Sequence, residues 1–461
     1  MPTPRILEAL TAALGPDRVF ADAETLALYS SDETPRQVTP AAVLYPASHE
    51  HVVALMQIAH AHKIPVVARG AGSGNVGGAL PVKNGLVVSF ECMNEILEFD
   101  PANRLMVVQP GVVTEDIGRL ARTRGLFYAP DPGSGAYSRI GGNLAMNAAG
   151  PRAVKYGVTR DFVLGLKAVT GDGKTITTGC RTSKGVTGYD FTRLLVGSEG
   201  TLALITEATL RLLPAPETVA TLRLCFSSNR AACEAVERVM SQAVLPCALE
   251  IMDRRSIEAI RPTGAADDLP FGTEALLMVE ADGPVRDVPH QIAALKEALK
   301  GGGLLEVREG VTREEAVALW SARKSLSHAV KQYAPLKINE DVVVPVSRLA
   351  DFIDFLDQLA QRYPFPIVSF GHAGNGNLHV NLMVHPDDAE EMAQAHACLK
   401  ELFSTVLAYG GTLSGEHGIG TEKRAYVGLE IDPDTLNLMR AVKKQFDPAG
   451  ILNPGKLFPD Q

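Results

Sequence analysis

The chain has 461 residues, with 44 Lys+Arg against 53 Asp+Glu and a formal net charge of −9. That length exceeds one ordinary core, so two or more domains are expected, and 46% hydrophobic with 21% charged residues is an ordinary soluble-globular composition. The acidic balance and the lack of a basic patch argue against nucleic acid as a partner.

In chain order, Met1–Leu14 lacks the basic and apolar blocks of a signal peptide, and no run of about 18 apolar residues occurs, so no membrane span is expected. A cytoplasmic location follows as the expectation, with peripheral attachment at the inner face of the membrane left open. Ala42–Tyr45 reads as a strand. Val52, Leu55, Met56 and Ala59 have helical spacing, so Ser48–His62 reads as a helix with Ser48 as N-cap. Pro65–Ala68, Leu86–Phe90 and Leu105–Gln109 are further strands, and Thr114–Arg124 a helix closed by Gly125. Pro214-Ala215-Pro216 resists helix and central strand alike and marks a boundary. Beyond it, strands at Thr221–Phe226 and Ala275–Glu280 alternate with helices at Arg230–Ala243 and Val288–Leu299. One helix over Thr312–Tyr333 opens with the capping box Thr312-x-x-Glu315. Val342–Val344 and Pro366–Phe370 are β-rich, and Asp388–Leu407 is helical. The second block reads as an α+β module, a sheet covered by helices on one face.

The six cysteines, Cys92, Cys180, Cys225, Cys233, Cys247 and Cys398, form no C-x-x-C pair. Reduced thiols are expected, and no iron–sulfur cluster bound by this chain alone.

Three glycine-rich stretches carry chemistry. Gly72-Ser73-Gly74-Asn75-Val76-Gly77 matches G-x-G-x-x-G, but Pro81, Asn84 and Gly85 follow where a dinucleotide-binding fold needs a helix. NAD is therefore not expected. Glycines still allow backbone N–H groups to approach an anion closely, so a strand–glycine loop–strand unit beginning at Arg69 is read as a phosphate cradle. The second stretch runs from Pro130 to Gly150 and the third from Gly188 to Thr201. Each alone is more often a turn than a site.

Together they resemble the FAD-binding domain of the vanillyl-alcohol oxidase/para-cresol methylhydroxylase type of flavoprotein, from about residue 40 to Asn453-Pro454-Gly455-Lys456. The resemblance implies FAD contacts at Arg69, Gly70, Ala71, Gly72, Ser73, Gly74 and Asn75 for the pyrophosphate. It implies further contacts at Pro132, Gly133, Ser134, Ser138, Gly141, Gly142, Asn143, Asn147, Gly150, Glu199, Gly200, Ile205 and Asn453. Residues 69–80 and 128–150 contain no histidine, so non-covalent FAD is expected. The implied architecture is α+β: a two-part FAD-binding domain at 1–214, a substrate (cap) domain at 215–413, and a C-terminal segment at 414–461 that completes the active site and packs on the FAD domain.

Gly371-His372-Ala373-Gly374-Asn375-Gly376-Asn377-Leu378-His379 is the most informative stretch. Leu378, Val380, Leu382 and Val384 alternate with His379, Asn381 and Met383, so His379 and Asn381 share one strand face. His372 precedes them on a loop that can fold back, and two such imidazoles suit a divalent metal. Glu416 in Ser414-Gly415-Glu416-His417-Gly418 would complete a His2Glu site with open positions.

These two motifs resemble the signatures of FAD-linked D-2-hydroxy acid dehydrogenases, which act on D-lactate, glycolate or D-2-hydroxyglutarate. The resemblance implies His372, His379 and Glu416 as metal ligands and His417 as the base. Zinc is the first choice of metal, with manganese or iron as alternatives. Asn375 departs from the aspartate common there, at a position that is not a ligand. Trp320, Arg323 and Ser327 share a helix face, and the resemblance assigns Arg323, Ser327 and Lys337 to the substrate carboxylate, with Asn381 beside them.

The expected reaction is oxidation of a small D-2-hydroxy acid to the 2-oxo acid. One arginine clamp favours D-lactate or glycolate; D-2-hydroxyglutarate would need a second cation. With no second redox centre in the chain, a separate acceptor is expected: an electron-transferring flavoprotein, a quinone-linked partner or an iron–sulfur partner. An oxygen-using oxidase on the same scaffold is the rival. A homodimer is the expected assembly.

Overall fold

The computed structural model describes residues 2–460. They form two compact units, and both are discontinuous in sequence. The first comprises the N-terminal residues through Gly150, then Gly157–Ala215, then Glu416 onward; the second comprises Pro151–Tyr156 and Pro216–Gly415.

In the first unit, Ala42–Leu44, Leu86–Ser89 and Val66–Arg69 lie side by side in parallel, with Val19–Phe20 antiparallel at one edge. The crossover helix His49–His62 starts where Ser48 Oγ accepts from the His51 N–H, and it ends at Lys63 in the left-handed region, φ 51°. Val52, Leu55, Met56 and Ala59 are all fully buried against Leu44, Val66, Leu86 and Val88. Each of the three larger side chains contributes about 1.5–3 kcal/mol through that burial. The second sheet is antiparallel, in the order Ile96–Asp100, Leu105–Val108, Ala203–Arg211, Val163–Thr170, Thr175–Gly179. A register shift between Ile205 and Glu207 kinks its central strand.

The second unit is built on one seven-stranded antiparallel sheet, in the order Leu304–Gly310, Thr218–Phe226, Ala275–Gly283, Ala248–Met252, Ile367–His372, Asn377–Val384, Leu336–Val343. Helices cover both faces rather than one. Arg254–Ile260 and Ser321–Ala329 bury Ile257, Ile260, Ala322 and Leu326 against Met252, Leu276, Val368, Phe370 and Met383. The intervening residues Ile251, Leu277 and Leu382, which point the opposite way, are just as buried, and Asn229–Met240, Val288–Leu299 and Ala389–Ala408 pack against these strands. A sheet buried on both sides has no polar face for alternation to reveal.

The expected single helix over Thr312–Tyr333 is broken. Arg313–Leu319 carries the Thr312–Glu315 capping box, a second helix spans Ser321–Ala329, and a 3₁₀ turn follows at Val330–Gln332. The break falls at Trp320, whose indole Nε1 donates to Glu280 Oε1 of the sheet at 2.6 Å. That tertiary anchor overrides an otherwise continuous helical pattern. Among the described residues no helix is long and apolar enough to cross a membrane.

Candidate active site

In the first unit the glycine stretches converge on one cleft, with about 470 Å³ of empty space that includes a part open to solvent. Arg69, Gly70, Gly141, Gly142, Gly200 and Ile205 line it, with Phe90 and Pro110 as apolar walls and Ser198 as a further polar group. A Cβ at Gly142 would meet no protein atom within 4 Å, whereas one at Gly141 would lie 2.6 Å from Pro110 Cβ. Gly142 therefore borders open space, and Gly141 permits close packing. Among the described residues, the N–H groups from Gly70 to Asn75, which include Ala71, Ser73 and Gly74, donate to no protein acceptor. A row of such donors beside a cleft fits an anionic group such as a pyrophosphate.

The other expected FAD contacts shape these loops. Arg69 Nη1 donates to the Ser31 carbonyl at 2.5 Å, and its guanidinium sits over the Tyr29 ring and beneath Gly72. Gly135 N–H closes a turn on the Pro132 carbonyl, around Gly133 and Ser134, and Gly150 packs against Asp131. Ser138 and Asn143 are buried around Thr114, with Asn143 Nδ2 donating to Thr114 Oγ1 at 2.6 Å. Asn147 adopts φ 53° and accepts from the Arg160 N–H.

Glu199, at φ 55° and 5% exposed, accepts from the N–H groups of Ile419 and Gly420, each at 2.7 Å. Asn453 Nδ2 donates to the carbonyls of Gly78 and Glu199. Burial pushes the Glu199 carboxyl above its ordinary range, against the pull of those two donors. Two buried side chains thus tie the first loop, the third loop and the segment after Glu416 into one body. Glu416 and His417 open that segment, with His417 Nε2 3.9 Å from Glu416 Oε1.

In the second unit, register decides which side chains meet. His379 pairs with Phe370 on one side and Asp341 on the other, Asn381 pairs with Val368 and Asn339, and His372 pairs with Asn377. Directly paired residues point to the same face, so these side chains share one. His372 and His379 are 6% and 7% exposed, their ring centroids are 5.3 Å apart, and the rings are nearly perpendicular. Each has a carboxylate at Nδ1: Glu250 hydrogen-bonds His372, and Asp341 Oδ1 lies 3.9 Å from His379. Asp341 also accepts from Asn377 Nδ2, Ser414 Oγ and the Gly415 N–H at 2.6, 3.1 and 2.9 Å. From Gly415 the chain runs directly into Glu416.

Asn381 is fully buried, and its Nδ2 donates to the carbonyls of Val368 and His379. Its Oδ1 has no partner among the described residues. Arg323 donates from Nε to Glu250 Oε2 at 3.1 Å and stacks over Phe370. Burial alone would raise the Glu250 carboxyl, but its pairing with His372 and Arg323 outweighs it and holds it down at about 2. Ser327 is exposed on the next turn, and Lys337 lies on the edge strand opposite Met383.

Sequence reading missed Glu250, Asp341 and Asn377. The available signal was a carboxylate at the centre of the apolar run Ala248–Met252. All six cysteines are unbridged, and burial pushes the Cys225 thiol up to about 11.

Residues 215–457 match the family described as FAD linked oxidases, C-terminal domain, and residues 40–179 match the FAD binding domain family. The glycolate oxidase subunit GlcD of Bacillus subtilis (strain 168) is 39% identical, covering 99% of this chain and 97% of its own length. The D-2-hydroxyglutarate dehydrogenase of Stutzerimonas stutzeri (strain A1501) is 35% identical over 99% of this chain and 100% of its own, and the D-lactate dehydrogenase of Anaerostipes hadrus 33% over 99% and 97%. A crystal structure of p-cresol methylhydroxylase with substrate bound has the same fold, with a TM-score of 0.80 at 18% identity over 99% of this chain and 96% of that one. With one family match spanning more than half of its residues and full-length relatives at this identity, the chain belongs to the FAD-linked oxidases.

Proposed function

We propose that the protein is an FAD-dependent dehydrogenase that oxidises a small D-2-hydroxy acid, of the size of D-lactate or glycolate, to the 2-oxo acid. The observation that carries this reading is the pair of buried, perpendicular imidazoles, His372 and His379, each with a carboxylate beside Nδ1. An imidazole held by a carboxylate hydrogen bond at Nδ1, as His372 is by Glu250, is an ordinary ligand of a divalent transition metal. The orphaned Asn381 Oδ1 on the same sheet face suits a ligand or ordered water. Glu416 is the third ligand in this reading; it directly follows Gly415, whose N–H donates to Asp341, and Asp341 lies 3.9 Å from His379. The cleft bordered by Gly70 and Gly142 and the free N–H row of the first loop fit non-covalent FAD.

Bound FAD supplies a two-electron acceptor, and the divalent ion, zinc in the first instance, supplies Lewis acidity that makes a hydroxyl proton removable near neutral pH. The chain's residues do the rest. Arg323 takes the substrate carboxylate, with Ser327, Lys337 and Asn381 around it, and so orients C2. His417 accepts the hydroxyl proton as C2 gives up its hydrogen with the electron pair. The electrons then pass to a separate acceptor: an electron-transferring flavoprotein, a quinone-linked partner or an iron–sulfur partner. The relatives named for glycolate, D-lactate and D-2-hydroxyglutarate support the hydroxy-acid class.

A dye-reduction screen over D- and L-hydroxy acids tests the reading, run on wild type and Glu416→Ala with and without chelator. Turnover limited to D-acids or glycolate, and lost in Glu416→Ala and under chelator, is expected. Unchanged turnover in Glu416→Ala would remove the metal from the mechanism.

A further inference from the structure

Glu250 is 1% exposed in the strand Ala248–Met252, between Leu249 and Ile251. An apolar side chain of similar volume would serve such a sheet as well or better, so stability does not account for a carboxylate there. Its two oxygens go to two different groups. Oε1 meets His372 Nδ1, and Oε2 accepts from Arg323 Nε at 3.1 Å. Arg323 in turn lies over Phe370, with its guanidinium carbon 4.6 Å from the ring centroid.

We propose, building on the metal reading above, that Glu250 is a positioning residue that joins the metal ligand His372 to the substrate clamp Arg323. A ring N–H given to a carboxylate selects the tautomer and stops ring rotation. His372 is thereby fixed with Nδ1 protonated and Nε2 as the ligand atom. The guanidinium is a rigid plane, so anchoring Nε and stacking on Phe370 sets where the two terminal amino groups point. Those groups are left for the substrate carboxylate. One side chain on one strand thus sets both directions at once. Glutamine cannot replace it, because it offers one acceptor oxygen and turns an NH2 toward the other donor.

The test uses the full-length, flavin-bound protein. Zinc affinity is measured by competition with a chromophoric chelator in wild type, Glu250→Gln, Glu250→Asp and His379→Ala. Glu250→Gln should bind zinc about 10- to 100-fold more weakly, with flavin content retained and KM for D-lactate raised. Glu250→Asp should lose less. In ¹⁵N-histidine spectra of metal-free wild type, the His372 signal, assigned by its loss in His372→Asn, should show a protonated Nδ1. That measurement stands even if Glu250→Gln fails to fold. Wild-type zinc affinity in Glu250→Gln, or His372 protonated on Nε2, overturns the role of Glu250 and leaves the metal reading intact. Zinc affinity unchanged in His379→Ala overturns the metal reading, and this inference with it.

Discussion

Gly376 closes the turn between the two histidine strands, and replacing it should damage the site in a way that can be separated from simple backbone strain. Its φ is +69°, and a Cβ there would lie 1.9 Å from the Val344 carbonyl oxygen. Gly410, in the same unit, has φ +79° with nothing within 4 Å of its Cβ position. Alanine at either position carries the left-handed penalty, about 1 kcal/mol. At Gly376 the backbone must also shift by roughly 1 Å to relieve the clash, at the 1–3 kcal/mol typical of overpacking. The shift strains the Val344 N–H to Gly376 carbonyl hydrogen bond as well. Gly376→Ala should therefore cost roughly 2–4 kcal/mol, and Gly410→Ala about 1. Denaturant unfolding followed by the fluorescence of Trp320, the only tryptophan, reads both. Costs for the two variants within about 0.5 kcal/mol of each other, the scatter of an ordinary surface change, would refute the clash and the register it rests on.

Four further outcomes are expected. Gly142→Val should fold with near-native stability yet purify without FAD, because its side chain would enter open cleft rather than protein; flavin absorbance per chain checks this. His417→Ala should keep FAD and metal while kcat falls about 10²- to 10⁴-fold, the usual contribution of a positioned base. Arg323→Ala should raise KM for D-lactate about 10- to 150-fold, since a charge-assisted hydrogen bond contributes about 1.5–3 kcal/mol. The Glu199 carboxyl is raised when folded, so its contribution to stability is present at acid pH and lost as pH climbs from the ordinary carboxylate range through the raised value. Glu199→Gln should flatten that decline in unfolding free energy against pH.

Much of the scaffold was legible in local pattern. Ser48 with the spacing of Val52, Leu55, Met56 and Ala59 marked a helix that the structure contains, because one face of it is buried and the other is not. The strand read at Pro366–Phe370 and the alternation beyond Leu378 were also readable, but His372, expected on a loop, ends the strand Ile367–His372, where pairing with Asn377 holds it. Continuity over Thr312–Tyr333 was misread, because the break depends on a Trp320–Glu280 hydrogen bond to a strand some 40 residues earlier. The second layer of helices was missed for a related reason: the run Ala275–Val279, apolar at every position and buried on both faces, does not say what covers it. Glu250 and Asp341 were not assigned to the site, because only sheet register puts them beside His372 and His379. A carboxylate in a strand otherwise reads as an edge or solvent position. The glycines that border the cleft were visible, but only the fold distinguishes Gly142, which faces space, from Gly141, which faces Pro110.

The most direct test is anaerobic mixing of the oxidised protein with D-lactate, L-lactate or glycolate, following the visible flavin absorbance in a single turnover. Bleaching with D-lactate or glycolate but not L-lactate, abolished after chelator treatment and restored by zinc, is the expected result. Bleaching at the same rate in metal-stripped protein, or none with any 2-hydroxy acid, would contradict the proposed chemistry.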